Sequence, residues 1–157
     1  MQKPTPNLWF DGNAEEAMNF YLSIFPNSKV LSIARYGDAG PGPKGSVLSV
    51  AFELNGQEFV GINGGPHYKF TPAVSFSVLC ETQVEIDALW EKLLAGGEPS
   101  QCGWLTDKFG LSWQVVPRLL IEYLQDKDTE RANRVMSAML KMVKLDIATL
   151  RRAYEEG

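Results

Sequence analysis

Over the first 65 residues the apolar positions switch between a period of two and a period near 3.6, which marks where strands and helices lie. Thr5 to Phe10 alternates, with Thr5, Asn7 and Trp9 on one face and Leu8 and Phe10 on the other, and predicts a strand. Asp11-Gly12 turns the chain, and Asn13 is a good N-cap with Glu16 at the capping-box position. Ala17, Phe20, Tyr21 and Ile24 recur at helical spacing until Pro26-Asn27 stops the helix. Three strands are predicted next: Lys29 to Tyr36, Ser46 to Leu54 and Gln57 to Asn63. The turn-rich segment Gly37 to Gly45 separates the first two, and Asn55-Gly56 is a strong hairpin signal between the second and third. Residues 4 to 65 therefore read β-α-β-β-β.

The same order then starts again. Ala73 to Cys80 predicts a strand, and Thr82 an N-cap with Glu85 at the capping-box position. Ile86, Leu89, Trp90 and Leu93 form the helix stripe, and Gly96-Gly97 ends it. Short strands fit at about Glu98 to Gln101, Gly103 to Asp107 and Leu111 to Val116, with a Phe109-Gly110 turn before the last. The halves share few residues, so the repeat is one of element order and capping. After Pro117 the pattern is helical: Leu120, Ile121 and Leu124, then a helix capped by Asp128, then one capped by Asp146. The expected organisation is α+β: a first module over 1–66, a second over 67–117 and a helical tail over 118–157.

Composition narrows the function classes. The chain has 157 residues, 45% hydrophobic and 22% charged, an ordinary globular balance. A net charge of −4 without a Lys/Arg cluster argues against a nucleic-acid surface. No apolar run is long enough to span a bilayer, and Met1-Gln2-Lys3-Pro4 does not open a signal peptide. Cys80 and Cys102 lack metal or redox spacing and are expected to be free thiols in a reducing cytoplasm. The Gly37–Gly45 loop is no phosphate loop: Gly45 rather than Lys precedes Ser46, and its prolines remove backbone donors. No GxGxxG opens a helix after a strand, as a nucleotide or S-adenosylmethionine site on an α/β sheet would require.

Four blocks in order carry a resemblance. They are Leu8-Trp9-Phe10-Asp11-Gly12-Asn13-Ala14-Glu15-Glu16-Ala17 with Ile24-Phe25-Pro26; Gly56-Gln57-Glu58-Phe59 with Asn63-Gly64-Gly65-Pro66; Cys80-Glu81-Thr82-Gln83 with Gly96-Gly97-Glu98; and Cys102-Gly103-Trp104-Leu105-Thr106-Asp107 with Ser112-Trp113-Gln114-Val115-Val116-Pro117. Together they resemble the PhnB-like proteins of the glyoxalase/bleomycin resistance/dioxygenase (vicinal oxygen chelate) superfamily, a branch that often carries the label 3-demethylubiquinone-9 3-methyltransferase. The resemblance implies paired βαβββ modules curled into a cup and a homodimer. Superfamily members include metal-dependent enzymes and drug binders, so the fold does not name the chemistry.

Metallo-members of the superfamily place His or Glu on the inner face of four strands. Aligned through helix and turn landmarks, this chain offers Gln114 on the last strand, Ala73, Ser75 and Ser77 on the strand opening the second module, Phe59, Gly61 and Asn63 closing the first, and Thr5 or Asn7 on the first strand, or Pro6 if the register slips by one. None is a strong anionic or imidazole ligand, and the single histidine, His67, lies in a loop, so neither a metal nor another cofactor is expected. On that alignment Asn7, Trp9, Phe59, Asn63, Ser75, Ser77, Ser112 and Gln114 line the cup, with Cys102 and Trp104 at its rim. Such a lining suits a small, neutral or aromatic, flat molecule. Trp9 and Trp104 are more often core residues than ligand platforms, Trp113 is assigned to the core, and Glu15 and Glu16 need no role beyond the helix dipole. Three readings stay open: a metal-free small-molecule binder, an enzyme (a divergent lyase or dioxygenase, or the labelled methyltransferase), and an interaction module using the tail.

Overall fold

The computed structural model describes residues 1–156. The chain forms two compact units, Met1–Phe70 and the chain from Thr71 on.

In the first unit, β1 (Asn7–Phe10) leads into α1 (Ala14–Ile24), followed by β2 (Lys29–Arg35), β3 (Val47–Leu54) and β4 (Gln57–Asn63). The sheet order is β1-β4-β3-β2, with β1 parallel to β4 and the other pairs antiparallel. Asn55 and Gly56 both take positive φ, 45° and 88°, as a two-residue hairpin turn between β3 and β4 demands. Alternation decides the faces: Leu8, Phe10, Val50, Phe52 and Phe59 are buried with Ala14, Ala17, Met18 and Tyr21 of α1. Phe52 stacks on Phe59 at 5.7 Å between ring centroids. Gly61 lies in the same layer; a Cβ there would meet Val50 at 3.0 Å and Ala14 at 3.3 Å, so the glycine lets α1 sit close to the sheet.

The N-cap of α1 is Asn13, but its side chain makes no capping bond. The Ala14 N–H instead donates to Asn63 Oδ1 at 2.9 Å, and Asn63 Nδ2 donates to the Val47 carbonyl at 3.1 Å. A residue at the end of β4 thus caps α1, which corrects the local capping box expected from Asn13.

The second unit repeats the order with β5 (Ser75–Cys80), α2 (Gln83–Leu94), β6 (Glu98–Pro99), β7 (Trp104–Thr106) and β8 (Ser112–Pro117). Its sheet runs β5-β8-β7-β6, again with the outer pair β5–β8 parallel. Here the capping signal reads true: Thr82 Oγ1 accepts the Glu85 N–H, and Glu85 Oε2 accepts the Glu81 N–H. Helices α3 (Arg118–Leu124), α4 (Thr129–Met139) and α5 (Ile147–Glu155) complete this unit, with Asp128 and Asp146 capping α4 and α5 through their carboxylates. Val116, Leu120, Val135, Leu145 and Leu150 form one buried cluster, so the tail packs on its own module. The chain is therefore α+β, with two βαβββ modules forming two mixed four-stranded sheets, plus C-terminal helices.

Candidate functional site

Each sheet has one face under its helix and one face turned away from it, and the strand register assigns every candidate residue to one or the other. In the second unit Ser75 pairs with Ser112, Ser77 with Gln114, Trp104 with Gln114 and Thr106 with Ser112. Paired residues project to the same side. Ser75, Ser77, Trp104, Ser112 and Gln114 therefore share one face, opposite the buried Leu105, Trp113 and Val115 that lie under α2. Five of the ten residues expected to bind ligand are brought together here.

Their chemistry is neutral throughout. Gln114 Nε2 donates to Ser75 Oγ at 2.8 Å. One amide N–H is spent on this bond, leaving Gln114 a second donor and its carbonyl acceptor. Trp104 and Gln114 are half-buried, so a ligand can reach them, whereas Ser112 is buried. Cys102 lies two residues before Trp104 in the β6–β7 turn at φ 58°, half-buried, its N–H donating to the Met142 carbonyl. These residues do not fit a divalent metal: hydroxyls and a carboxamide carry no charge, and the Gln114–Ser75 bond occupies two of them with each other. Among the described residues no group of three or more His, Cys, Asp or Glu is placed to hold a metal. Nor do the strand-to-helix turns fit S-adenosylmethionine, since the β1–α1 turn carries one glycine, Gly12, and the β5–α2 turn, Glu81-Thr82, none.

In the first unit the expected residues divide. Asn7 pairs with Val60 and Trp9 with Ile62, so both lie on the face away from α1. Phe59 is buried beneath α1 on the opposite face, and Asn63 is committed to capping that helix. Asn7 spends its amide N–H on the Thr5 carbonyl at 2.9 Å, while Trp9 Nε1 donates to the Gly65 carbonyl at 2.9 Å. A cavity of about 720 Å³ opens at this end of the sheet, between the β1–α1 turn, the β2–β3 loop and the end of β4. Trp9 and Asn63 reach it, together with Asp11, Glu15 and Tyr36, which the sequence reading did not select. Tyr36 closes a predicted strand and the two acids read as ordinary helix-start residues; only the fold of the β2–β3 loop brings them together.

Residues 2–116 match the family model described as 3-demethylubiquinone-9 3-methyltransferase. Among solved structures, a PhnB protein of Bacillus cereus bearing the same methyltransferase label is 45% identical, with a TM-score of 0.68; the match covers 74% of this chain and 99% of that one. A protein of Pseudomonas aeruginosa, 19% identical, gives a TM-score of 0.63 over 74% of this chain and 98% of that one. The fosfomycin resistance protein FosX of Listeria monocytogenes, solved with Mn(II) and sulfate, is 16% identical, with a TM-score of 0.55 over 79% of this chain and 95% of that one. The last two speak to fold alone. No curated protein matches the chain.

Proposed function

The chain belongs to the 3-demethylubiquinone-9 3-methyltransferase family of PhnB-like proteins, within the vicinal oxygen chelate superfamily, and from that membership we propose that it binds a small, uncharged, flat molecule on the open face of its second module, without a metal. The observation that carries this reading is the Gln114–Ser75 hydrogen bond. Where the resemblance would set His or Glu ligands in metallo-members, this chain carries a neutral donor–acceptor pair, with Trp104 paired to Gln114. A flat ligand stacks on Trp104 and exchanges hydrogen bonds with the remaining amide groups of Gln114.

Thermal-shift and calorimetric screening with uncharged quinones and flat aromatic amides tests it. At least one compound is expected to raise the melting temperature in a dose-dependent way. Gln114→Ala and Trp104→Ala should each weaken that compound about tenfold, the value of one good contact near 1.4 kcal/mol. Binding indifferent to both variants would sink the site. Elemental analysis of untagged protein should give well below one equivalent of any divalent metal.

The family's description favours a second reading, methyl transfer to a quinone. It gains if the protein moves a methyl group from S-adenosylmethionine to a demethylated quinone. We also propose that the protein is a homodimer, supported by β2, along which Val30, Leu31 and Ile33 are all exposed, and that it resides in the cytoplasm, where its two free thiols stay reduced. Light scattering should give twice the chain mass, and Leu31→Lys should shift it toward one.

A further inference from the structure

The 720 Å³ cavity of the first unit shares no residue with the face just proposed, and its size falls within the usual range of small-molecule sites. Its lining combines three features. Two aromatic rings, Trp9 and Tyr36, line it. Trp9 is tied by its indole N–H to the Gly65 carbonyl and meets Tyr68 edge-on at 4.9 Å. A Cβ on Gly64 would overlap the Trp9 ring, and one on Gly42 would overlap the Tyr36 ring, so each ring occupies space that a glycine leaves free. Val47, Ile62, Pro41 and Pro43 supply apolar walls. Asp11 and Glu15 bring two carboxylates and the lining has no Lys or Arg.

Those carboxylates have a local role, since negative charge at the start of α1 favours the helix dipole. That role leaves them unpaired. No side chain of the described residues makes an ion pair or hydrogen bond with either. Of the cations in the adjoining strand and loop, Lys44 is engaged by Asp38 at 3.0 Å and Arg35 donates to the Gly45 carbonyl. Electron-rich aromatic rings and two uncompensated carboxylates around an apolar void select one class of ligand, a cation with a flat apolar body. We propose that this cavity is a binding site for organic cations of that class, such as aromatic or quaternary amines.

Calorimetry on the full chain at pH 7.5 with N-methylacridinium and with acridine, which is uncharged at that pH, isolates the charge. The cation is expected to bind at least tenfold more tightly. The double variant Asp11→Asn/Glu15→Gln should bring the two probes to within about threefold of each other while leaving acridine unchanged. Trp9→Leu should weaken both, and Gln114→Ala neither. Raising the salt from 50 to 500 mM should weaken the cation alone, a readout available on the unaltered protein if the double variant fails to fold. Equal binding of the two probes, absence of binding to the folded protein, or a cation preference that survives both the double variant and high salt would overturn the proposal.

Discussion

Asp107 shows how one side chain can hold a turn that no local pattern announces. It is buried, its Oδ1 accepts the N–H groups of Phe109 and Leu111, and its Oδ2 accepts the Trp113 indole N–H at 2.9 Å. An asparagine there keeps one oxygen but turns the other acceptor into a donor facing an N–H. Asp107→Asn should therefore cost roughly 2–3 kcal/mol in urea unfolding, and Asp107→Ala at least as much. The cysteines separate by the same attention to surroundings. Burial, then the charges of Glu85 and Glu81, push the Cys80 thiol up to about 11 from 9.0. The unfolded chain gives up that proton near its ordinary value and the folded chain does not. Stability drawn from Cys80 is therefore full below pH 9 and lost as the pH rises from about 9 to about 11. Cys102 is half-buried, so at pH 8 a thiol reagent should modify one thiol per chain quickly and the second only in denaturant. The quick phase should vanish in Cys102→Ser.

At the scale of elements, sequence reading succeeds where the interaction closes within a turn and fails where it closes across the sheet. Thr82, Asp128 and Asp146 cap their own helices through side-chain oxygens, as their positions predict. Asn13 looks no worse as a cap, yet the oxygen that serves α1 comes from Asn63, 49 residues beyond the Ala14 N–H that it accepts. Asn63→Ala should thus cost about 1–2 kcal/mol of stability by chemical denaturation, and Asn13→Ala only a few tenths. Parity explains the divided site in the same way. Alternation within a strand is legible, so Ser75 and Ser77 fall together, as do Asn7 and Trp9. Which parity of β4 faces Trp9 depends on the register between strands: Trp9 meets Ile62, so Phe59 belongs to the other face. The Asp11, Glu15 and Tyr36 grouping is illegible for a related reason, because the eleven residues between β2 and β3 carry no periodicity to read.

At the scale of the whole chain, the tail is the part that the family leaves unexplained. The family model ends at residue 116, yet the helices beyond it supply Leu120, Val135 and Leu150, and the α4–α5 connection supplies Leu145, to a cluster that also buries Val116. The junction is built from backbone as well as side chains. The Cys102 and Gly103 N–H groups donate to the carbonyls of Met142 and Val143, and Gln83 bridges the Leu145 carbonyl and the Ile147 N–H. Gly103, at φ 84°, lies so close that a Cβ would stand 2.9 Å from Leu145. A segment held by both backbone and core is an integral layer of its unit rather than an appendage. Leu145→Ala, which empties a fully buried site, should cost about 2–5 kcal/mol and lower the melting temperature by several degrees. A chain ending at Pro117 should fare worse than that point variant. It loses the cover over Val116 and strands the Cys102 and Gly103 donors, so it should bind a hydrophobic dye and lose near-ultraviolet dichroism from Trp104 and Trp113. A truncated chain that melts with the full-length protein would mean that the second module is complete at residue 117 and that the tail contributes nothing to its stability.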